Sequence, residues 1–141
     1  MADAQLTLPD PDGWLFGEPI YSYSRAQALE DGVLIDVTEI ATQVGFRFPV
    51  AITVALHDRL CPSMHDVDQE YHGRLWDVLW VAALKARLQG SSTDTVNFIV
   101  TQMEADPRSG DLRDIDIRLW AVCGPGDEHE PVITIGFPQD F

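Results

Sequence analysis

The chain has 141 residues, and nine Lys and Arg against 23 Asp and Glu give a formal net charge of −14 at pH 7. A chain of this length is predicted to form one domain, since a second full-size core needs more residues. The charge excludes a broad basic surface for a phosphate backbone and predicts repulsion from an anionic membrane. A hydrophobic content of 45% with four Trp nevertheless indicates a folded protein rather than an acidic disordered tail.

The N-terminal segment, residues 1–19, is predicted to be an irregular arm. Proline and glycine recur throughout it, at Pro9, Pro11, Gly13, Gly17 and Pro19. Trp14, Leu15 and Phe16 lie within this arm, and we expect them to dock on the body of the protein or, alternatively, to contact a partner. The arm has no basic n-region and no apolar run of seven residues, so we do not interpret it as a signal peptide.

The cysteines and the apolar runs bear on the compartment. Cys61 and Cys123 are far apart and form no CxxC motif, so free thiols in a reducing cytoplasm are the simpler interpretation, with a disulfide as the alternative. The longest apolar stretch, Val78 to Leu84, is far shorter than the roughly 20 residues that a membrane-spanning helix needs. We therefore expect a cytoplasmic protein.

After the arm, the sequence predicts a helix, a strand and a second helix. Ser24 is a candidate N-cap for a helix over RAQALED, which ends at Gly32. Val33 to Val37 is a compact β-branched run, typical of a strand. Thr38 is a second candidate N-cap, with IATQV behind it and Gly45 at the end of that helix.

The next segment allows two interpretations. Pro49 suits the first turn of a helix, and we place a helix at about residues 50–60. The stretch FRFPVAITV is rich in strand-forming residues, so a strand over residues 46–54 is the alternative. Residues 61–72 are predicted to be a polar, acidic loop.

The segment GRLWDVLWVAALKARLQG carries the strongest helical pattern and predicts a central helix over about residues 73–89. Apolar residues recur at helical spacing, at Leu75, Leu79, Ala82, Ala83 and Ala86. Trp76 and Trp80 widen this apolar face, and Gly90 ends the helix.

The last third of the chain changes to the period of two that is typical of strands. Val96 to Met103 and Val132 to Phe137 are two predicted strands. Between them, Ile115, Ile117, Leu119 and Ala121 alternate with Asp114, Asp116, Arg118 and Trp120. Together these elements predict that residues 20–141 form a single α+β domain. We expect a three-to-four-stranded, mostly antiparallel sheet with helices packed on one face.

Four segments of the chain resemble a family of small acidic proteins of unknown function that is carried on phages, plasmids and other bacterial mobile elements. They are YSYSRAQALEDGVLIDVTEIA (21–41), GFRFPVA (45–51), GRLWDVLW (73–80) and AVCGPGDEHEPVITI (121–135). The resemblance covers about residues 20–137 and implies no activity, cofactor or catalytic residue. It implies a setting, because accessory proteins of mobile elements commonly act against host machinery or regulate it.

Histidines and carboxylates concentrate between residues 57 and 77. Imidazole and carboxylate are the ligands that zinc, iron or manganese take, and the candidate ligands are His57, His65, Asp66 and His72. No HExxH motif or comparable helical pair places two of them on one face, so we interpret the stretch as a solvated acidic loop. A metal-dependent enzyme or ligand-binding domain is the alternative, and no cofactor is predicted.

Cys61 is close to His57 and His65 in sequence, which raises the question of a nucleophilic thiol. No strained turn of the GxSxG kind presents it, so we interpret Cys61 as a structural residue.

The acidic residues favour a non-enzymatic binding protein. Carboxylates on a rigid body can occupy Arg and Lys sites that normally take phosphates, and complementary charge speeds encounter. We therefore expect a basic, nucleic-acid-handling host protein or nucleoprotein complex as the partner, with no nucleic acid or membrane bound directly. The candidate contacts are Asp66, Asp68 and Glu70 on the loop, Asp114 and Asp116 on the sheet, and Asp127, Glu128 and Glu130 on the last hairpin. A homo-oligomeric structural protein, with Trp14, Trp120 or Phe141 in its contact, is a further alternative.

Overall fold

A computed structural model of the protein describes residues 23–61, 67–90, 94–106 and 108–141. The predicted arm over residues 1–19 therefore lies outside the described residues. The elements in chain order are α1 (Arg25–Glu30), β1 (Leu34–Asp36), α2 (Thr38–Val44), β2 (Val50–Thr53), α3 (Val54–Leu60), α4 (Val67–Gln89), β3 (Thr95–Ala105), β4 (Leu112–Pro125), β5 (Pro131–Gly136) and a short 3₁₀ helix (Pro138–Asp140).

The described strands form one five-stranded mixed sheet with the order β1-β2-β5-β4-β3. The α+β class is confirmed, and β3, β4 and β5 form the antiparallel meander that the period of two predicts. The predicted three to four strands need correction to five, whereas the mostly antiparallel pairing is confirmed, because three of the four described strand pairs are antiparallel. β2 is the additional strand, and it pairs with β5 in parallel, with Val50 opposite Ile133. This pairing joins segments that are far apart in the chain, so no local pattern indicates it.

The first helix forms as its capping residues predict. The Ser24 hydroxyl accepts a hydrogen bond from the backbone N–H of Gln27 at 3.0 Å. The Gln27 side chain accepts one from the backbone N–H of Ser24 at 3.2 Å, which completes a capping box. Gly32 follows the helix with φ of +79°, a conformation that glycine adopts without strain.

The second helix does not use Thr38 as its N-cap, contrary to the prediction. Thr38 is the first helical residue, and its backbone N–H and hydroxyl both donate to Asp36 Oδ1, at 3.0 and 2.6 Å. Its hydroxyl oxygen also accepts from the backbone N–H of Val50 at 3.1 Å. Thr38 therefore ties α2 to the first residue of β2.

The segment 46–60 contains both of the structures that its sequence allows. Val50, Ala51 and Ile52 form the buried strand β2, so the expected helix over 50–60 is wrong in its first third. Thr53 ends the strand and caps α3, because its hydroxyl accepts from the backbone N–H of Leu56 at 3.3 Å. The remaining residues are helical, as predicted.

The central helix α4 begins at Val67, about six residues before the predicted start. The predicted loop over 61–72 is therefore helical from residue 67 onward. Gly73 reads as a boundary in the sequence because glycine disfavours a helix interior by about 1 kcal/mol. Burial of Leu75 and Leu79 in the core outweighs that penalty, and the helix runs through Gly73.

The two faces of the sheet differ. Phe98 and Val100 of β3 are buried in the core with Leu119 of β4, and buried residues of α2, α3 and α4 belong to the same cluster. The opposite face, with Ile99 and Thr101, is exposed along β3. None of the described helices has the length and apolar character that crossing a membrane requires.

Candidate functional site

Exposed apolar and charged side chains share the sheet face opposite α4. We call this set the open sheet face. It consists of Ile99, Thr101 and Met103 on β3 and Asp114, Asp116 and Arg118 on β4. All six side chains are exposed, and 46% of Ile99 and 58% of Met103 is accessible. Asp114 and Asp116 thus lie on one face of a strand, as their spacing predicts.

The register alternates apolar and charged groups across the open sheet face. Thr101 pairs with Asp116, and its hydroxyl donates to Asp116 Oδ1 at 2.7 Å. Met103 lies directly opposite Asp114, and Ile99 lies opposite Arg118. Directly opposed residues have Cβ atoms about 5 Å apart, so each apolar side chain has a charged neighbour.

The open sheet face ends at β3, the edge strand of the described sheet. β3 is the last strand of the sheet, and among the described residues no strand pairs with its outer side. An edge strand offers its outward N–H and C=O groups to an added strand. β3 has eleven residues and contains no proline, so proline does not interrupt its hydrogen-bonding potential.

Two residues considered for self-association stack on each other beside this face. The rings of Trp120 and Phe141 have centroids 6.0 Å apart and an interplanar angle of 22°. Trp120 is half-buried and Phe141 is 49% exposed. Trp14, the third such residue, lies outside the described residues.

The predicted loop acids are separated from the sheet in sequence, and the structure describes only part of them. Glu70 is exposed in the N-terminal part of α4. Asp68 lies in the same helix, but its side chain is outside the described part of the structure, and Asp66 lies in the undescribed segment 62–66.

The hairpin acids lie at the other end of β4 and support the fold. Asp127 accepts hydrogen bonds from the backbone N–H groups of Arg25 and Ala26 at 2.8 and 2.9 Å. These two bonds, Ala26 first, lower the pKa of Asp127. Glu130 accepts from the backbone N–H of Glu128 at 2.9 Å within the turn. At about 3.4 Å per residue, the turn lies roughly 30 Å along the strand from Asp116, so the two acidic groups are separate surfaces.

A cluster of His57, Cys61 and Tyr71 joins α3 to α4. Nδ1 of His57 lies 2.8 Å from the Tyr71 hydroxyl, and Nε2 lies 3.7 Å from Sγ of Cys61. All three side chains are half-buried. Burial, and secondly the charge of Cys61, raise the pKa of Tyr71 to about 12. Sequence reasoning missed Tyr71 because it places this residue in a loop, whereas Tyr71 precedes the core residue Leu75 by one helical turn.

The structure brings His57 and His72 to the same tyrosine. His72 is exposed on α4, and its ring centroid lies 6.3 Å from that of Tyr71. His65 and Asp66, the other two metal-ligand candidates, lie outside the described residues. Within the described ranges, no three His, Cys, Asp or Glu side chains are grouped as a metal site would require.

A second exposed apolar set follows α4. Trp76, Trp80, Leu84 and Leu88 repeat every four residues, and Trp80 and Leu88 are 50% and 75% exposed. The sequence predicts that both tryptophans widen the face packed in the core. The predicted core residues Leu75, Leu79 and Ala82 are buried together with Val78, each at most 2% exposed, whereas both tryptophans are exposed. We call the exposed set the α4 row.

A cavity of about 370 Å³ lies between α1, β5 and the C-terminal residues. Arg25 lines it and donates to Thr134 Oγ1 at 2.7 Å and to the carbonyl of Ile133 at 2.9 Å. Burial lowers the pKa of Arg25, and the negative charge of Asp127 is the largest of the effects that raise it. Val122 and Val132 supply apolar wall. The cavity thus places one half-buried guanidinium beside apolar surface.

A sequence-family model described as a family of unknown function (DUF6573) matches residues 15–141. The chain belongs to this family. No curated protein and no solved structure matches the chain.

Proposed function

We propose that this member of a family of unknown function is a non-enzymatic, acidic binding protein that takes a basic protein partner on its open sheet face. The partner class is a nucleic-acid-handling protein of a bacterial host, which the protein inhibits or modulates on behalf of a mobile element. The observation that supports the proposal is the juxtaposition of exposed Ile99 and Met103 with Asp114 and Asp116 on one face.

The apolar and acidic groups have different roles in this proposal. Full burial of an aliphatic side chain contributes about 1.5–3 kcal/mol, so Ile99 and Met103 supply affinity. An exposed ion pair contributes about 0–1 kcal/mol, so Asp114 and Asp116 contribute mainly to encounter rate and to the choice of a basic partner. Mixed surfaces of this kind are typical of protein–protein interfaces.

The test is affinity capture from a bacterial host lysate at two salt concentrations, followed by a binding assay with the captured protein. The double variant Asp114→Asn with Asp116→Asn should bind roughly tenfold more weakly at low salt and show a smaller salt dependence. The matched control, Glu30→Gln with Glu39→Gln, removes the same charge from exposed positions on α1 and α2. Equal weakening by both double variants would contradict a contact at the open sheet face.

The apolar half of the surface is tested separately with Met103→Ser. This variant should weaken capture at both salt concentrations, because the contribution of apolar burial depends little on ionic strength. Capture of the same partner by the Met103 variant at full affinity would contradict the proposal.

The α4 row supports a second candidate function, a homo-oligomeric structural protein. Trp80 and Leu84 lie one turn apart on an exposed helix face, and aromatic residues of this kind are frequent at interfaces. Sedimentation velocity should then show a dimer that the variant Trp80→Ser with Leu84→Ser converts to a monomer. A monomeric wild-type chain at high concentration excludes this second function.

A metal-dependent function is the remaining alternative proposal. It would use His57 and His72 together with His65 and Asp66 of the undescribed segment. Elemental analysis of the purified protein and thermal shift with zinc, manganese and iron test it. A metal-free protein whose melting temperature none of these ions changes would contradict it.

A further inference from the structure

The thiol of Cys61 lies against an imidazole. Cys61 is the C-cap residue of α3, and His57 lies four residues earlier in the last turn of the same helix. This spacing brings side chains to one face of a helix, and it places Sγ 3.7 Å from Nε2 of His57. Cys61 is a half-buried free thiol, so it is partly accessible to small molecules.

The second ring nitrogen of His57 has a partner that orients the imidazole. Nδ1 lies 2.8 Å from the Tyr71 hydroxyl, and the two rings meet edge to face with centroids 5.0 Å apart. When His57 carries its ring proton on Nδ1, the Tyr71 hydroxyl oxygen accepts a hydrogen bond from Nδ1–H. In that tautomer, Nε2 is a free acceptor directed at the thiol.

We propose that Cys61 is a reactive thiol that exchanges with small disulfides, with His57 as the proton acceptor and Tyr71 as the residue that positions the imidazole. A nucleophile, a base within hydrogen-bonding reach and a third group that orients the base are the arrangement that activates thiols. This inference is independent of the binding function proposed for the open sheet face.

The exchange balances without any further reactant. The Sγ proton passes to Nε2 of His57, and the thiolate of Cys61 attacks one sulfur of the small disulfide. A bond forms between the two sulfurs as the original S–S bond breaks. The departing thiolate takes the proton from His57, so the products are a mixed disulfide on Cys61 and one free small thiol.

The reaction of the thiol depends on His57, because Nε2 lies 3.7 Å from Sγ and can take the thiol proton. Removal of His57 should therefore lower the reactivity of Cys61 strongly, which is the central expectation to test.

The experiment compares the two cysteines of the chain, because both are half-buried free thiols. Cys123→Ser leaves Cys61 alone, and Cys61→Ser leaves Cys123 alone. Each variant reacts with an aromatic disulfide, dithiobis(nitrobenzoate), and the coloured thiolate that is released gives the rate. Rates of the same chains unfolded in urea give the intrinsic reactivity of each thiol. Each folded rate is divided by the rate of the same chain in urea. This ratio should be at least ten times larger for Cys61 than for Cys123.

Two further substitutions in the Cys123→Ser chain test the roles of the neighbours. His57→Gln should lower the rate roughly tenfold or more. Tyr71→Phe keeps the ring but removes the hydroxyl, and it should lower the rate by a smaller factor while the Cys61 rate in urea stays the same. Circular dichroism and the melting temperature check that each variant folds.

Two outcomes would overturn the proposal. One is equal reactivity of Cys61 and Cys123 in the folded protein, and the other is a rate that neither His57→Gln nor Tyr71→Phe changes in folded chains. A merely structural role of Tyr71 would lower the melting temperature of the Tyr71→Phe variant without changing its Cys61 rate relative to that of the parent Cys123→Ser chain.

Discussion

Asp127 Oδ1 accepts a hydrogen bond from the backbone N–H of Arg25 at 2.8 Å, so the last hairpin caps the first helix. The other carboxylate oxygen accepts from the next backbone N–H, that of Ala26. The first N–H groups of a helix have no partner within it, and a carboxylate there also interacts favourably with the helix dipole. Asp127 therefore connects two distant parts of the chain and has a role in the fold itself.

Removal of this carboxylate should destabilise the protein. Asp127→Ala should lower the melting temperature, and Asp127→Asn should lower it less because the amide oxygen can still accept one of the two bonds. The control is Glu128→Ala, which removes an exposed acidic residue from the same turn. Thermal unfolding followed by circular dichroism measures the melting temperature of each variant. Equal decreases for the Asp127 and Glu128 variants would contradict the capping role of Asp127.

The same contact gives a pH dependence with a defined sign. Because the folded protein holds the pKa of Asp127 below its ordinary value of 3.8, the stabilisation is fully present above that value. It is lost as the pH falls through the lowered folded pKa. The difference in unfolding free energy between wild type and Asp127→Asn should therefore be constant near neutral pH and shrink below about pH 4. Urea unfolding at a series of pH values measures it, and a difference that grows in acid would refute the assignment.

Tyr71 should produce the opposite dependence at alkaline pH. Burial raises its pKa from 10.0 to about 12, so the folded state favours the neutral phenol. The stabilisation is present below pH 10 and is lost as the pH rises through about 12. Wild type should lose more stability than Tyr71→Phe over this range. Phenolate absorbance of the folded protein should show a tyrosine with a midpoint near pH 12, which the Tyr71→Phe variant lacks.

Local signals in the sequence predicted the local structure well. The N-cap role of Ser24 and the period-two alternation around Asp114 and Asp116 depend on residues within a few positions of one another or along one strand, so composition and spacing encode them. The parallel pairing of Val50 with Ile133 depends on two segments that meet only in the folded chain. No periodicity encodes such a pairing.

In the candidate sites, too, the sequence predicted the local contacts and not the long-range ones. The spacing of His57 and Cys61 places them on one helix face, and the predicted helix over 50–60 already contained the first of them. Tyr71 completes the cluster only because α4 starts at Val67. The glycine at position 73 led to a predicted helix start about six residues too late, which placed Tyr71 in a loop. The role of Asp127 as a cap for α1 likewise depends on a long-range contact, and the sequence predicted only a partner contact for its carboxylate.

Gln102 is a polar residue in an apolar core, and its replacement should not harm stability. It is 4% exposed, its Nε2 donates to the carbonyl of Arg74 at 3.3 Å, and its Oε1 has no hydrogen-bond partner among the described residues. An unpaired buried carbonyl costs about 1–3 kcal/mol, whereas one hydrogen bond contributes about 1 kcal/mol. Gln102→Leu should therefore be as stable as wild type or more stable, by up to about 2 kcal/mol. Gln102→Glu should be clearly less stable, and a loss above about 1 kcal/mol in the Leu variant would contradict the unpaired carbonyl.

Gly136 should tolerate no side chain, because β5 passes close to a pair of bonded groups there. A Cβ at this position would lie 2.6 Å from Thr53 Cγ2 and 2.8 Å from Asp140 Oδ2. The Thr53 hydroxyl donates to that same carboxylate at 2.8 Å, so neither group can move without loss of their bond. Gly136→Ala should destabilise the protein by roughly 1–3 kcal/mol.

Gly124 is the matched control. It belongs to the adjacent strand β4 and pairs with Val132 of β5, and a Cβ there meets nothing within 4 Å. Gly124→Ala should leave stability unchanged or raise it slightly, since alanine restricts the unfolded chain. Denaturant unfolding of both variants measures the difference, and equal stability of the two would show that the Thr53–Asp140 pair yields without cost.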